Sequence, residues 1–319
     1  VTDARAGEFA MIARHLRPLA GEGALDLRDD AAVLDVPAGR SLVIAADALV
    51  AGVHFLADDP PDLVARKLLR TNLSDLAAMG AAPLGYLTTI SVPRGTGEAW
   101  FAAFAAGLAV DQAAFGLRLL GGDTTGTPGP VSLSLTILGT VAPGRALRRS
   151  GARPGDALYV SGTIGDGALG LLAARGEIAD PGGVLADRYR LPRPRLELGR
   201  AVVGLASAAM DVSDGLVQDL GHLCAASGVA ARIEAERVPL SPPAAAAGRL
   251  ELCLTGGDDY ELILAVPPDR EDALARAADA AGVPVTRIGQ LRAGPPVVTV
   301  LLAGVPMPLE RAGWDHFRP

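Results

Sequence analysis

Ser41-Leu42-Val43-Ile44-Ala45-Ala46-Asp47 is an apolar run that ends abruptly on an acid. Residues 42–46 have the length of a strand and fall short of a helix. Downstream, Pro60-Pro61-Asp62 supplies a helix start, with Asp62 as N-cap; the helix is expected to reach about Met79 and stop at Gly80. Residues 84–92 read as a strand and residues 98–116 as an Ala-rich helix. Leu117–Leu120 reads as a short strand running into Gly121-Gly122-Asp123. Residues 131–141 alternate apolar and hydroxyl side chains, as a half-exposed strand does. Upstream, residues 31–36 look like a strand, and Phe9, Ile12, Ala13, Leu16 and Leu19 give residues 7–20 a helical spacing.

The alternation returns in the second half. A strand at 158–160, a glycine-rich turn at 162–166 and a helix at 168–175 are followed by helices at 192–206 and 215–227. Strands at 262–266 and 297–302 flank a helix at 269–281. Strands and helices mixed along both halves argue for α/β or α+β layering, not for a bundle or sandwich. Arg153-Pro154-Gly155-Asp156 is turn chemistry near the midpoint, and a boundary within 143–152 gives domains 1–145 and 146–319. That count suits 319 residues.

Composition excludes several classes. Half of the residues are hydrophobic and 20% are charged, enough apolar material for a core. Asp, Gly or Pro interrupts the apolar stretches before the roughly 18 residues of a membrane span. The polar start, Val1-Thr2-Asp3-Ala4-Arg5, lacks a signal-peptide pattern, so a cytoplasmic protein with no membrane partner is expected. The net charge of −7 and the lack of a basic stripe argue against a nucleic-acid partner. The single lysine, Lys67, lies in Ala65-Arg66-Lys67-Leu68, which excludes a P-loop. Cys224 and Cys253 form no metal pair and read as buried thiols, and His15, His54, His222 and His316 show no zinc spacing.

The chemistry lies in aspartates at the ends of apolar segments: Asp29-Asp30, Asp47, Asp75, Asp123, Asp211, Asp214 and Asp258-Asp259. Any one alone fits a turn former or a helix cap. Together, without lysine partners, they call for divalent cations. Mg²⁺ takes carboxylate and water oxygens and bridges to phosphates, which favours phosphoryl transfer. Gly121-Gly122-Asp123-Thr124-Thr125-Gly126 would let backbone amides approach phosphate oxygens. Gly162-Thr163-Ile164-Gly165-Asp166-Gly167 opens a helix and could do likewise, or could be a structural turn.

Nine segments in order then carry a resemblance. They are Gly7-Glu8-Phe9, Asp29-Asp30-Ala31-Ala32, Asp47 through Phe55, Asn72 through Ala81, Gly121 through Thr125, Arg149 through Ala152, Asp211 through Leu216, Gly256 through Leu262, and Gly313 through Phe317. The chain resembles the thiamine-monophosphate kinase family, of the superfamily of aminoimidazole ribonucleotide synthetase and selenophosphate synthetase. The resemblance implies a two-domain PurM-like α/β (α+β) fold, with N-terminal domains pairing in a homodimer. It implies direct in-line phosphorylation of thiamine monophosphate to thiamine diphosphate by ATP, with several Mg²⁺ ions and no side-chain nucleophile. Magnesium ligands would be Asp30, Asp47, Asp75, Asp123, Asp211 and Asp214. Gly121, Gly122, Arg149 and Ser213 would contact ATP, and His54, Asp258 and Trp314 the thiamine side.

The chain departs from the family pattern at Arg28, where glycine is usual, at Ala45, Ala46 and Ala48, where hydroxyl residues are usual, and at Asp258, where glutamate is usual. Crowding by Arg28 and one metal lost, or held through water, are the consequences to look for. The alternatives are a superfamily synthetase or ligase, and a nucleotide-binding homologue with weakened activity.

Overall fold

The computed structural model describes residues 8–315, so Gly7, His316 and Phe317 lie outside the described residues. In chain order the elements are α1 (Glu8–Met11), β1 (Ser41–Val50), α2 (Pro61–Ala78), β2 (Ala82–Pro93), α3 (Glu98–Phe115), β3 (Leu119–Thr127) and β4 (Ser132–Val141). They continue with β5 (Ala157–Ser161), α4 (Asp166–Ala174), α5 (Val184–Arg190), α6 (Leu196–Ala201), β6 (Ala208–Asp211), α7 (Leu216–Ser227) and β7 (Ala230–Glu234). Then come α8 (Pro242–Ala247), α9 (Leu250–Thr255), β8 (Leu262–Val266), α10 (Glu271–Ala281), β9 (Val285–Arg292), β10 (Val298–Leu302) and β11 (Val305–Pro306). Unit 1 takes the described residues to Leu76 and Ala82–Pro143; unit 2 takes Ala77–Ala81 and the described residues from Gly144.

Unit 1 is built on a four-stranded sheet in the order β1-β4-β2-β3. β4 runs antiparallel to β1 and β2, and β3 parallel to β2, so α3 is the crossover that parallel pairing requires. Leu133, Leu135 and Ile137 of β4 are buried, each contributing roughly 1.5–3 kcal/mol of burial. A Cβ at Gly107 of α3 would stand 2.2 Å from the Asp62 carbonyl oxygen, so glycine is what lets α3 lie on the start of α2. The fully buried Asp111 ties the helices together, accepting from Arg66 Nε at 3.1 Å and Arg70 Nε at 2.7 Å.

Unit 2 carries a seven-stranded sheet in the order β11-β10-β7-β9-β5-β8-β6. Among the described strands of this sheet only β10 and β7 pair in parallel. Its core joins Leu158, Val160, Met210, Leu220, Leu223, Ile233 and Ile263.

Several expected elements take another form. Residues 31–36 form no strand; Val33 and Val36 are exposed, and the Val33 N–H bonds the Gly23 carbonyl instead. The N-terminal helix breaks into α1, a π turn at Ile12–Leu16 and a 3₁₀ turn at Arg17–Leu19, where Pro18 has no N–H to give. Asp62 falls inside the first turn of α2, which starts at Pro61. The helix expected at 192–206 spans Leu196–Ala201 alone, because Pro192 and Pro194 keep its start out. β6, β7 and β9 were not legible; in β9 a register shift opposite Leu158 and Tyr159 breaks the two-residue period.

Cys224 and Cys253 are both free and buried, and burial pushes their thiols up to about 11 and about 12. Native protein at pH 8 is therefore expected to show no thiol reactive toward Ellman's reagent, and two after denaturation. One fast-reacting thiol in the native state would contradict the core described.

Candidate functional site

Unit 1 gathers part of the acidic set around one cavity. Asp29, Asp30, Gly121, Gly122, Asp123 and Thr124 line a cavity of about 490 Å³ whose apolar wall includes Leu16, Leu27 and Leu119. β3 carries Gly121–Thr124 to this place, and Ala20 and Gly21 bond alongside Leu119. Gly122 has φ +153°, and a Cβ there would stand 1.8 Å from the Thr88 carbonyl oxygen, so the strand crossing requires glycine. Asp29 and Asp30 follow three consecutive non-glycine residues in the left-handed region, Leu25, Asp26 and Leu27 at φ +51°, +56° and +52°. Such backbone is costly and concentrates at functional places. Asp123 Oδ1 accepts the Thr124 N–H at 2.8 Å, which fixes the carboxylate at the strand surface.

Arg28 is exposed with φ −118° and does not line the cavity. The crowding expected from it is absent from this geometry. Along β1, side chains alternate: Ala45 and Asp47 are half-buried, Ala46 and Ala48 exposed. Only Ala45 thus shares the face of Asp47.

Asp47 and Asp75 belong to a second part of unit 1. Asn72 Oδ1 of α2 accepts the Asp47 N–H at 3.1 Å, and Asp75 stands three residues on, one turn along the same helix face. Neither lines the cavity of Asp30 and Asp123. His54 sits in the turn after β1. Its Nδ1 accepts the Val50 N–H at 3.0 Å, so in the neutral ring the proton is on Nε2.

Unit 2 brings a second group together. β6 delivers Asp211, and the following turn presents Ser213 and Asp214 before α7. Asp219 Oδ2 accepts the N–H groups of Ser213, Asp214 and Gly215 at 3.0, 3.0 and 3.1 Å. Burial, then the charge of Asp211, pushes the Asp219 carboxyl up to about 7. The Asp258 N–H bonds the Ser213 carbonyl at 2.9 Å, and the Trp314 N–H bonds the Asp214 carbonyl at 2.9 Å. Gln218 Nε2 holds the Trp314 carbonyl at 2.6 Å, leaving the indole exposed. Asp258 has φ +71°, and the Tyr260 hydroxyl donates to its Oδ1 at 3.2 Å. Ser213, Asp214, Asp258 and Trp314 thus share one turn.

The Arg149 backbone is held at the far end of α7, next to Arg148, whose carbonyl accepts the Ala209 N–H of β6 at 2.9 Å. The Arg149 carbonyl accepts from Ser227 Oγ at 2.9 Å, at the C-terminal end of α7, whereas Ser213 lies before the N-terminal end. The 12 residues of α7 span about 18 Å.

The glycine turn at 162–167 is filled from within. Asp259 Oδ2 accepts the Gly165 N–H at 2.7 Å and Oδ1 the Gly167 N–H at 2.9 Å, so a carboxylate of the chain occupies this helix start. Burial pushes Asp259 up to about 8. Glu261, fully buried, accepts from Ser161 Oγ at 2.6 Å, Arg188 Nη2 at 2.9 Å and Arg195 Nε at 2.6 Å. Sequence reasoning gave Asn72, Asp219 and Glu261 no role of their own and counted Asp259 among the cation-binding acids, whereas its carboxylate is taken up by Gly165 and Gly167. The only signal was spacing: Asp219 lies five residues after Asp214, one turn into the helix.

The chain is similar to known proteins along nearly its whole length. Residues 28–141 match the AIR synthase related protein N-terminal domain, and residues 153–301 the corresponding C-terminal domain. A thiamine-monophosphate kinase of Caulobacter vibrioides is 51% identical over 320 residues, covering 97% of this chain and 90% of the relative. The crystal structure of thiamine-monophosphate kinase from Stenotrophomonas maltophilia K279a is 40% identical, with a TM-score of 0.82 over 94% of this chain and 97% of that one. A structure described as AaThiL complexed with AMPPCP and TMP is 30% identical, with a TM-score of 0.77 over 98% of this chain and 97% of that one. The mixed α/β, two-domain PurM-like fold expected from the sequence is the observed one. With half of its residues shared with one relative across almost the full length, the chain belongs to the thiamine-monophosphate kinase family.

Proposed function

We propose that this chain phosphorylates thiamine monophosphate to thiamine diphosphate with ATP as donor. The observation that carries the reading is the convergence of Asp30, Gly121, Gly122 and Asp123 on one cavity of unit 1. Relatives of the same name, and a neighbour bound to AMPPCP and TMP, support it. The acceptor is a phosphate oxygen, already anionic near pH 7, so no side chain has to remove a proton from it. The new bond joins that oxygen to the γ-phosphorus as the bond to the β-γ bridging oxygen breaks, with ADP leaving. Positioning and charge stabilisation carry such a transfer, and no side-chain nucleophile is required.

The acids fit Mg²⁺ through their donor chemistry. Among the described residues no three His, Cys, Asp or Glu side chains form a group that could hold a metal ion. Mg²⁺ does not ask for such a cage; one or two carboxylates, waters and substrate phosphates suffice. Asp30, Asp47, Asp75 and Asp123 in unit 1 and Asp211 and Asp214 in unit 2 are the proposed ligands. Bound Mg²⁺ would neutralise the polyphosphate charge. Gly121 and Gly122 keep the cavity wall clear of side chains, and Ser213 and Arg149 offer a hydroxyl and a guanidinium to ATP. On the thiamine side, the Trp314 ring and the Asp258 carboxylate suit a planar cation, and the His54 Nε2–H suits a phosphate oxygen.

The homodimer that the resemblance implies would form on an apolar face of unit 1. Leu42, Ile44 and Leu87 are 37%, 60% and 39% exposed on the sheet face that also carries Ala46 and Ala48. An apolar row of this kind suits a second copy of the same sheet.

A coupled assay is expected to show ADP release only when thiamine monophosphate and Mg²⁺ are both present. Asp123→Asn is expected to lower kcat by about a hundredfold or more with little change in melting temperature, since the residue is exposed. Nucleotide binding without ADP release would instead favour a homologue that does not turn over. Ile44→Lys is expected to convert a dimer to a monomer in sedimentation analysis; an unchanged sedimentation coefficient would exclude this face as the interface.

A further inference from the structure

Of the 29 lysine and arginine residues only Lys67 is a lysine, and it is 2% exposed in the middle of α2. Burying an ammonium is unfavourable unless hydrogen bonds compensate it. Lys67 Nζ donates to the His54 carbonyl oxygen at 2.9 Å. An ammonium is compact and can point one N–H at a single carbonyl, whereas a guanidinium is a planar fork that needs more room. At this buried place the chain's one lysine thus directs an N–H at the His54 carbonyl.

The acceptor is informative. His54 is tied to β1 through its ring, with Nδ1 accepting the Val50 N–H at 3.0 Å, and through its backbone, with the N–H bonding the Val50 carbonyl at 2.9 Å. The same turn closes with the Gly52 N–H on the Phe55 carbonyl at 2.8 Å, Gly52 having φ +82°. The Lys67 bond fixes the remaining backbone group of His54 from α2. With the carbonyl, the N–H and Nδ1 all engaged, the ring keeps one tautomer, and Nε2–H is its donor.

We propose that Lys67 is a positioning residue for the substrate phosphate: its ammonium anchors the His54 carbonyl so that His54 presents Nε2–H in a fixed direction. Lys67 is not itself a phosphate ligand, being enclosed in the core. The inference rests on the reading that His54 contacts the substrate.

The test is steady-state kinetics on Lys67→Met, Lys67→Arg, His54→Ala and the Lys67→Met/His54→Ala pair, varying thiamine monophosphate and ATP separately. It is joined by nitrogen-15 spectra of the histidine rings, with the His54 signals assigned from His54→Ala. Lys67→Met is expected to raise KM for thiamine monophosphate about tenfold, the scale of one lost charged hydrogen bond, and KM for ATP less than about twofold. Lys67→Arg should behave the same way, and it carries the comparison if the methionine variant does not fold. The double variant should be no worse than His54→Ala, because both act through one group. The wild-type His54 ring should show one Nε2–H tautomer, and either Lys67 variant an averaged signal. An unchanged KM for thiamine monophosphate, an equal rise for both substrates, additive effects, or an unaltered ring spectrum in the Lys67 variants would overturn the proposal. Wild-type activity with no effect of His54→Ala would instead remove His54 from the substrate site, leaving the ring spectrum to decide whether Lys67 positions it.

Discussion

A carboxylate can be buried only where N–H or guanidinium groups meet its charge, and this constraint sorts the acids of the chain into two populations. Asp111 is met by Arg66 and Arg70, and Glu261 by Arg188 and Arg195. Asp219 and Asp259 are met by backbone N–H groups at the starts of α7 and α4. These four are buried and serve the architecture. Asp29, Asp30 and Asp123 are exposed at the mouth of a cavity. In unit 2 the buried Asp219 also holds the turn that presents Ser213 and Asp214.

Asp219 shows how a buried acid serves candidate site residues. One carboxylate oxygen gathers three successive N–H groups and so sets the path of the chain through Ser213 and Asp214. Asp258 and Trp314 then attach to that path through their backbone N–H groups, and Gln218 Nε2 holds the Trp314 carbonyl. Residues from β6, from the loop before β8 and from the C-terminal segment meet because one acid orders the turn between them. The buried Asp259 does the same at Gly165 and Gly167, which is why a glycine turn that could have cradled an external phosphate holds an internal carboxylate instead.

Much of this was legible. Helices α2, α3 and α7 carry long apolar periods, and Gly116 closes α3 as a left-handed cap, so their limits could be read closely. The acids were legible only as a set, and the strand ends expected at Asp47 and Asp123 are not ends: β1 runs on to Val50 and β3 to Thr127. The placement of Arg149 was not, since its distance from Ser213 depends on the path of β6 and α7. The failed strand at 31–36 is apolar enough for a strand but has no neighbour to pair with, and pairing is not a local property. The separation of Asp47 and Asp75 from the cavity of Asp30 and Asp123 likewise depends on strand order. The role of Lys67 was hidden behind a correct use of the same residue, which had served only to exclude a P-loop.

The central proposal is that the aspartates named as ligands, exposed like Asp30 and Asp123 or buried like Asp211, hold cations jointly with a nucleotide's phosphates, not as a cage of their own. Titration of Mn²⁺ in place of Mg²⁺, followed by electron paramagnetic resonance with and without a non-hydrolysable ATP analogue, tests it most directly. Weak binding by the protein alone should become at least about tenfold tighter than binding by either the protein or the analogue alone. The same Mn²⁺ affinity with and without the analogue would contradict it.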